Sequence, residues 1–209
     1  MADAVFYTTL EGEGEAEFVE KRSVFIGHAR PVASEEEAQA YIKQQKSAYM
    51  DARHNVWAYM MQGEIVARYS DDGEPQGTAG VPVLDTIRKS GVTDAVVVVT
   101  RYFGGILLGA GGLVRAYSHT AKLALEAAHI ITYEQYTELE LVCSYSDYQR
   151  YQAELPRFGA VIDDTQFTDR VTLLFAVKST VVDDLMRRVC EMSGGKDAPA
   201  VRGTRFDYR

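Results

Sequence analysis

Residues 95–117 read AVVVVTRYFGGILLGAGGLVRAY, and their order decides the fold of the first part of the chain. Val96, Val97, Val98 and Val99 are an unbroken β-branched run, the mark of a strand covered on both faces. Arg101, Tyr102 and Phe103 follow, then Gly104, Gly105, Gly109, Gly111 and Gly112. From Leu113 to Leu125 polar and apolar residues mix as they do in a helix. A buried strand therefore feeds a glycine-rich turn, and the turn feeds a helix. Glycine lets the backbone take φ > 0 or lie close against another group. A helix start behind such a turn presents unpaired N–H groups and the positive end of a dipole. With Arg101 and Arg115 on either side, the turn is a candidate anion site; tight packing of helix on sheet is the other use of the same glycines. Two sharper motifs fail here. Gly104 and Gly109 have phosphate-loop spacing, but Ala110 and Gly111 stand where Lys and Ser/Thr belong, and Val114 replaces the third glycine of a dinucleotide fingerprint.

Upstream, Phe18–Pro31 reads as one strand centred on Val24, Phe25 and Ile26. Ser34 and Glu37 have capping-box spacing for a helix running to about Tyr49. His54–Met60 reads as a strand, Gln62 and Gly63 as a turn, and Ile65–Tyr69 as the returning strand. Ser70–Gly80 (SDDGEPQGTAG) is a loop by its Asp-Gly, Glu-Pro and Gln-Gly pairs. Pro82 suits the first turn of a helix ending near Lys89. Downstream, Tyr133–Cys143 alternates as a half-buried strand. A helix over Ser146–Phe158 with Ser146 as its cap, strands at Ala160–Phe167 and Val171–Val177, a helix at Thr180–Met192 and a strand at Ala200–Tyr208 follow. That β-α-β-β-α-β order is ferredoxin-like. The expected division is into domains of residues 1–131 and 132–209.

The chain has 209 residues, a net charge of −8 and an ordinary globular composition. That charge argues against a general polyanion binder but leaves room for a local basic patch. No apolar run reaches membrane-spanning length, so no membrane partner is expected. The acidic N-terminus is unlike a secretory signal, and Cys143 and Cys190 lack metal spacing, which together point to a reduced, cytoplasmic protein.

Three blocks carry the candidate chemistry: RHNVWAY (Arg53–Tyr59), SDDGEPQGTAG and RYFGG (Arg101–Gly105). With these motifs in this order the sequence resembles the IMPACT/YigZ family over about Phe18–Ala128, and its C-terminal region looks like the second domain of bacterial YigZ-type members. The resemblance implies an α+β first domain like domain four of elongation factor G and a small-subunit ribosomal protein, and a ferredoxin-like second domain like its domain five. Eukaryotic members of the family are translation regulators that compete for the activator of a starvation-sensing kinase. Bacteria lack that pathway, so the partner is not carried over; a nucleic-acid or ribosome role is the usual suggestion for bacterial members.

The candidate ligand-binding residues are Arg53, His54, Ser70, Asp71, Asp72, Glu74, Gln76, Thr78, Arg101, Tyr102, Gly104, Gly105, Gly111 and Arg115. Arginine forks bind phosphate and aromatic faces stack on bases. Asp71, Asp72 and Glu74, with His54 near, have the chemistry of a divalent-metal site, but turn capping by Asp is the preferred reading. Arg101 is expected to share one surface with the 70–80 loop, either as an anion-binding fork or as a clasp to Asp71, Asp72 or Glu74. No nucleophile signature is present. The expectation is a non-catalytic protein without a cofactor that contacts RNA, the ribosome or a translation-associated protein. The alternative is a metal-dependent enzyme acting on a phosphorylated small molecule or nucleotide. Oligomeric state is left open.

Overall fold

Val96–Val99 lie in the middle strand of a five-stranded antiparallel sheet and are fully buried. The computed structural model describes residues 6–61 and 65–208. In chain order its elements are β1 (Phe6–Leu10), β2 (Gly14–Glu20), β3 (Ser23–Pro31), α1 (Glu35–Ala48), β4 (His54–Met61), β5 (Val66–Ser70), α2 (Gly80–Lys89), β6 (Ala95–Tyr102) and α3 (Gly109–Ala127). There follow β7 (Ile130–Cys143), α4 (Tyr145–Glu154), β8 (Val161–Phe167), β9 (Val171–Lys178), α5 (Val182–Ser193) and β10 (Ala200–Asp207). The chain divides into two compact units, one of residues 7–132 and one that takes up the chain from Tyr133. The architecture is α+β in both.

In the first unit the strand order is β2-β3-β6-β4-β5, every neighbouring pair antiparallel. The valine run works on both faces because side chains alternate along a strand. Val97 and Val99 pack with Ile87 of α2 and Leu113, Tyr117 and Ala121 of α3. Val96 and Val98 pack with Ala38, Tyr41 and Ile42 of α1. Helices on both faces, rather than parallel pairing, make the run continuously apolar. The parallel-sheet rule that puts ligands at the carboxyl ends of strands therefore gives no reason to expect one beside Arg101.

The second unit orders its strands β10-β7-β9-β8, all antiparallel, with the ferredoxin-like sequence of elements. Its core joins Leu139, Leu141, Leu173 and Phe175 of the sheet to Tyr151 of α4 and Leu185 and Val189 of α5.

Several element boundaries differ from the sequence expectation, each for a local reason. Phe18–Pro31 is not one strand: β2 and β3 form a hairpin turning at Lys21 and Arg22, whose φ values are 45° and 68°. Two positive-φ residues make the tight turn that matches strand twist, but neither is the Gly or Asn that announces such a turn in a sequence. Helix α3 starts at Gly109, so Gly109, Gly111 and Gly112 belong to its first turn rather than to a loop before Leu113. The cap of α4 is Ser144, whose hydroxyl accepts from the Asp147 N–H at 3.1 Å, not Ser146. Ser34 does cap α1, accepting from the Glu37 N–H at 3.2 Å, while Glu37 accepts from the N–H of Ala33 at 2.8 Å. The expected turn at Gln62 and Gly63 lies outside the described residues.

Candidate functional site

Arg101 is the last but one residue of the buried strand β6, and the ladder sets its neighbours: Phe25 of β3 opposes it on one side and His54 of β4 on the other. Its side chain turns inward and Arg101 is only 6% exposed. Nη1 donates to Glu74 Oε1 at 2.6 Å, and Nη2 reaches Ser23 Oγ at 3.4 Å. The guanidinium lies over the rings of Phe25 and Phe103, at 5.4 and 5.5 Å from their centroids. Tyr117 of α3 donates its hydroxyl to the same Glu74 oxygen at 2.8 Å. Burial, with the Glu74 carboxylate beside it, pushes the Tyr117 hydroxyl far above its usual range, so it stays a donor. The cluster ties β6, the 70–80 loop, β3 and α3 at one point. A buried ion pair with extra hydrogen bonds fixes geometry more than it adds stability, and a partner left alone would be heavily penalised. The structure thus brings Arg101 and the 70–80 loop together as a clasp to Glu74.

The three loop carboxylates face three different sets of partners. Asp71 accepts from the N–H groups of Gly77 (2.9 Å), Ala79 (3.1 Å) and Gly80 (2.8 Å), so it caps the start of α2 from nine residues upstream. Asp72 accepts from the Asn55 N–H at 2.7 Å and from Lys46 Nζ at 2.5 Å. Glu74 belongs to the Arg101 cluster. This is what turn-capping and bracing carboxylates look like, and among the described residues no group of three His, Cys, Asp or Glu is arranged to hold a metal ion. Ser70 accepts from the Asp72 N–H at 3.1 Å, and Thr78 donates to the Pro75 carbonyl at 2.6 Å; both hold the loop's own shape. His54 pairs through Nδ1 with the Asp72 carbonyl at 2.9 Å. Gln76 is exposed.

Gly104 and Gly105 have different duties. A Cβ on Gly104 would stand 2.0 Å from the Arg22 carbonyl carbon, so the 104 backbone lies directly on the β2–β3 turn. The Gly104 N–H donates to Ser23 Oγ at 3.2 Å. Gly105 has open space around it but φ of +82°, the left-handed region where glycine avoids the strain of a side chain. On either side of them Phe103, Ile106 and Leu107 are exposed, Leu107 by 83%. Tyr102 donates to Asp51 at 2.8 Å.

The strand ladder gathers Lys21, Arg22, Arg53, Phe103 and Gly104 at one end of the sheet: Val24 pairs with Tyr102, and His54 with Arg101. Lys21, Arg22 and Arg53 are exposed, and none has a carboxylate partner among the described residues. Arg115 and Gly111 lie elsewhere, on the exposed side of α3. Sequence reasoning missed Lys21, Arg22, Ser23 and Tyr117. A Lys-Arg pair between two alternating segments is the one signal that would have pointed to the hairpin tip; Ser23 and Tyr117 carry none.

The sequence of residues 21–125 matches the Impact N-terminal domain, and 141–196 match a domain of unknown function (DUF1949). The Bacillus subtilis (strain 168) protein "IMPACT family member YvyE" is 33% identical over 91% of this chain and 88% of its own length. The chain belongs to the IMPACT family. "IMPACT family member YigZ" of Escherichia coli (strain K12) is 33% identical over 84% of this chain and 87% of that one. A crystal structure described as that of a hypothetical protein has a TM-score of 0.59 and 30% identity, covering 94% of this chain and 97% of that one. Both domains of the bacterial, YigZ-type arrangement are therefore present. The three motif blocks all lie inside the Impact N-terminal domain, where two of them supply Arg101 and Glu74 to the cluster that Tyr117 of α3 completes.

Proposed function

We propose that this IMPACT-family chain is a non-catalytic binding protein of the translation- or stress-regulation type, acting in the cytoplasm and contacting RNA of the translation machinery through the end of the sheet where Lys21, Arg22 and Arg53 gather. The observation that supports this is the unmatched positive charge there beside an exposed aromatic ring. Among the described residues most cations sit against carboxylates; these three, like Arg115 and Lys89, do not, but here they stand together with Phe103 among them, 46% exposed. Cations neutralise backbone phosphates and aromatic faces stack on bases. The Arg101 cluster has a supporting role in this reading: it holds the RYFGG turn and the hairpin tip in register. Neither free cysteine needs an oxidising compartment, and no helix among the described residues is long and apolar enough to cross a membrane.

The test is fluorescence anisotropy of labelled single-stranded RNA and of ribosomal RNA fragments between about 25 and 200 mM salt. Three phosphate contacts give a log–log salt slope of about −2, at 0.7 per contact for a single strand. Reversing all three charges (Lys21→Glu, Arg22→Glu, Arg53→Glu) should abolish binding without lowering the melting temperature. Phe103→Ala should weaken binding and leave the salt slope unchanged. Absence of binding at the lowest salt, or binding indifferent to the charge reversals, would overturn the reading.

A further inference from the structure

The outer faces of α2 and α3 leave a groove of about 1030 Å³, built within the 7–132 unit. Its β2 side, Phe18 and Glu20, adjoins the hairpin whose tip carries Lys21 and Arg22. Its lining follows α3 from Gly112 to Glu126, roughly 21 Å at the rise of a helix. Val81 and Pro82 of α2 and Val114 and Ala116 of α3 supply apolar lining. Val114 is 38% exposed, a large aliphatic side chain facing water on a helix.

The charges around the groove are unevenly matched. Asp85 is paired with Arg88 at 3.0 Å, and Glu126 with Lys122 at 3.6 Å. Arg115 and Lys89, by contrast, have no carboxylate partner among the described residues, and Glu20 has no cation. The uncompensated charge is two positive against one negative, on a chain whose net charge is −8. Arg115 lies near the start of α3, and Lys89 ends α2.

We propose that this groove receives an amphipathic α-helix of a protein partner, with leucine-like residues on its apolar face and acidic residues placed to meet Arg115 and Lys89. The dimensions support a helix over a small molecule. Its lining runs along about four turns of α3, and its volume is at the upper limit of small-ligand clefts, about 1,000 Å³. A helix laid in a groove is anchored by apolar residues at i, i+3 or i+4 and i+7, and the apolar lining here includes Val114 near the start of α3 and Leu125 and Ile130 at and after its end.

The test uses the full chain and a fluorescein-labelled synthetic helix of about 15 residues, leucines at i, i+4, i+7 and i+11 and glutamates elsewhere. Two controls are a scrambled peptide of equal composition and a version with lysine for glutamate. The expected result is saturable one-to-one binding, roughly tenfold weaker for both controls. Val81→Glu or Val114→Glu should lower affinity by a similar factor, the second variant serving if the first does not fold. Arg115→Glu should lower affinity for the acidic helix and raise it for the basic one. Equal binding of the scrambled peptide, no binding up to about millimolar concentration, or affinity unchanged by Val114→Glu would overturn the proposal. So would a concentration-dependent dimer in sedimentation that Val114→Glu abolishes, since the groove would then belong to a second copy. Displacement of the fluorescent amphiphile anilinonaphthalene sulfonate by dodecanoate but not by the helix would assign it to a lipid-like anion instead.

Discussion

Replacing Arg101 with leucine should leave Glu74 buried with its charge unopposed. The Glu74 side chain is 4% exposed and the Arg101 side chain 7%, and their 2.6 Å contact is the main compensation of each. Removing one member of a buried pair typically destabilises by about 3–5 kcal/mol. Tyr117 still donates to Glu74, so the lower part of that range, about 3 kcal/mol, is expected. The double variant Arg101→Leu, Glu74→Leu removes both charges and should be less destabilised than the single change, giving a coupling of about 2 kcal/mol. Arg101→Lys keeps the charge but loses the planar fork, the weak Ser23 contact and the stack between Phe25 and Phe103, for a loss of about 1–2 kcal/mol. The assay is urea unfolding followed by tryptophan fluorescence. Trp57 is the chain's single tryptophan and sits in β4, so the signal reports on the unit that holds the cluster. A loss under about 1 kcal/mol for Arg101→Leu, or strict additivity in the double variant, would show that the pair is not a clasp.

Gly104→Ala should destabilise by about 2–3 kcal/mol, because backbone rather than a flexible side chain occupies the Cβ site, whereas Gly105→Ala should cost about 1–2 kcal/mol through left-handed strain alone. Equal melting temperatures for the two variants would refute the division of duties. Burial lowers the His28 pKa below 6.5, with Glu15 and Glu13 opposing less strongly. A folded pKa below the unfolded one means that the unfolded chain binds the proton more readily. Stability contributed by neutral His28 is then complete above about pH 6.5 and is lost as the pH falls toward the folded value. The urea midpoint should drop over that window and His28→Gln should flatten the dependence; a proton NMR titration placing His28 at or above 6.5 would contradict this. A fragment of residues 1–131 should fold alone, as shown by dispersed amide resonances, because that region has its own sheet and two faces of helix. An aggregated or unfolded fragment would count against two independent domains.

The elements that could be read directly were those with their cause nearby in the chain. The valine run needed no partner to announce a doubly covered strand. Ser34 and Glu37 announced the start of α1, and Pro82 the first turn of α2. The misreadings fall where the cause is geometric rather than compositional. Lys21 and Arg22 adopt positive φ without any glycine, so a hairpin looked like one strand. Gly109, Gly111 and Gly112 read as loop because glycine is a poor helix former, yet the first turn of α3 holds them, Gly109 and Gly111 exposed and Gly112 buried.

For the candidate site, the sequence by itself determined the membership of three motif blocks and the residue types they bring: arginine, carboxylates, glycines and aromatics. Only the tertiary structure decided which of those charges face water. Arg101 meets Glu74 across 27 residues of chain and Tyr117 meets the same carboxylate across 43, separations at which no periodicity or spacing rule operates. Asp71, Asp72 and Glu74 are near neighbours in sequence, but the turn between them sends their side chains to the start of α2, to β4 and α1, and to the buried cluster. Burial depends on what packs opposite a residue, and that is set by strand register and helix placement. The exposed cations Lys21, Arg22 and Arg53, ordinary surface residues in the sequence, become one surface because three antiparallel strands end or turn at the same edge.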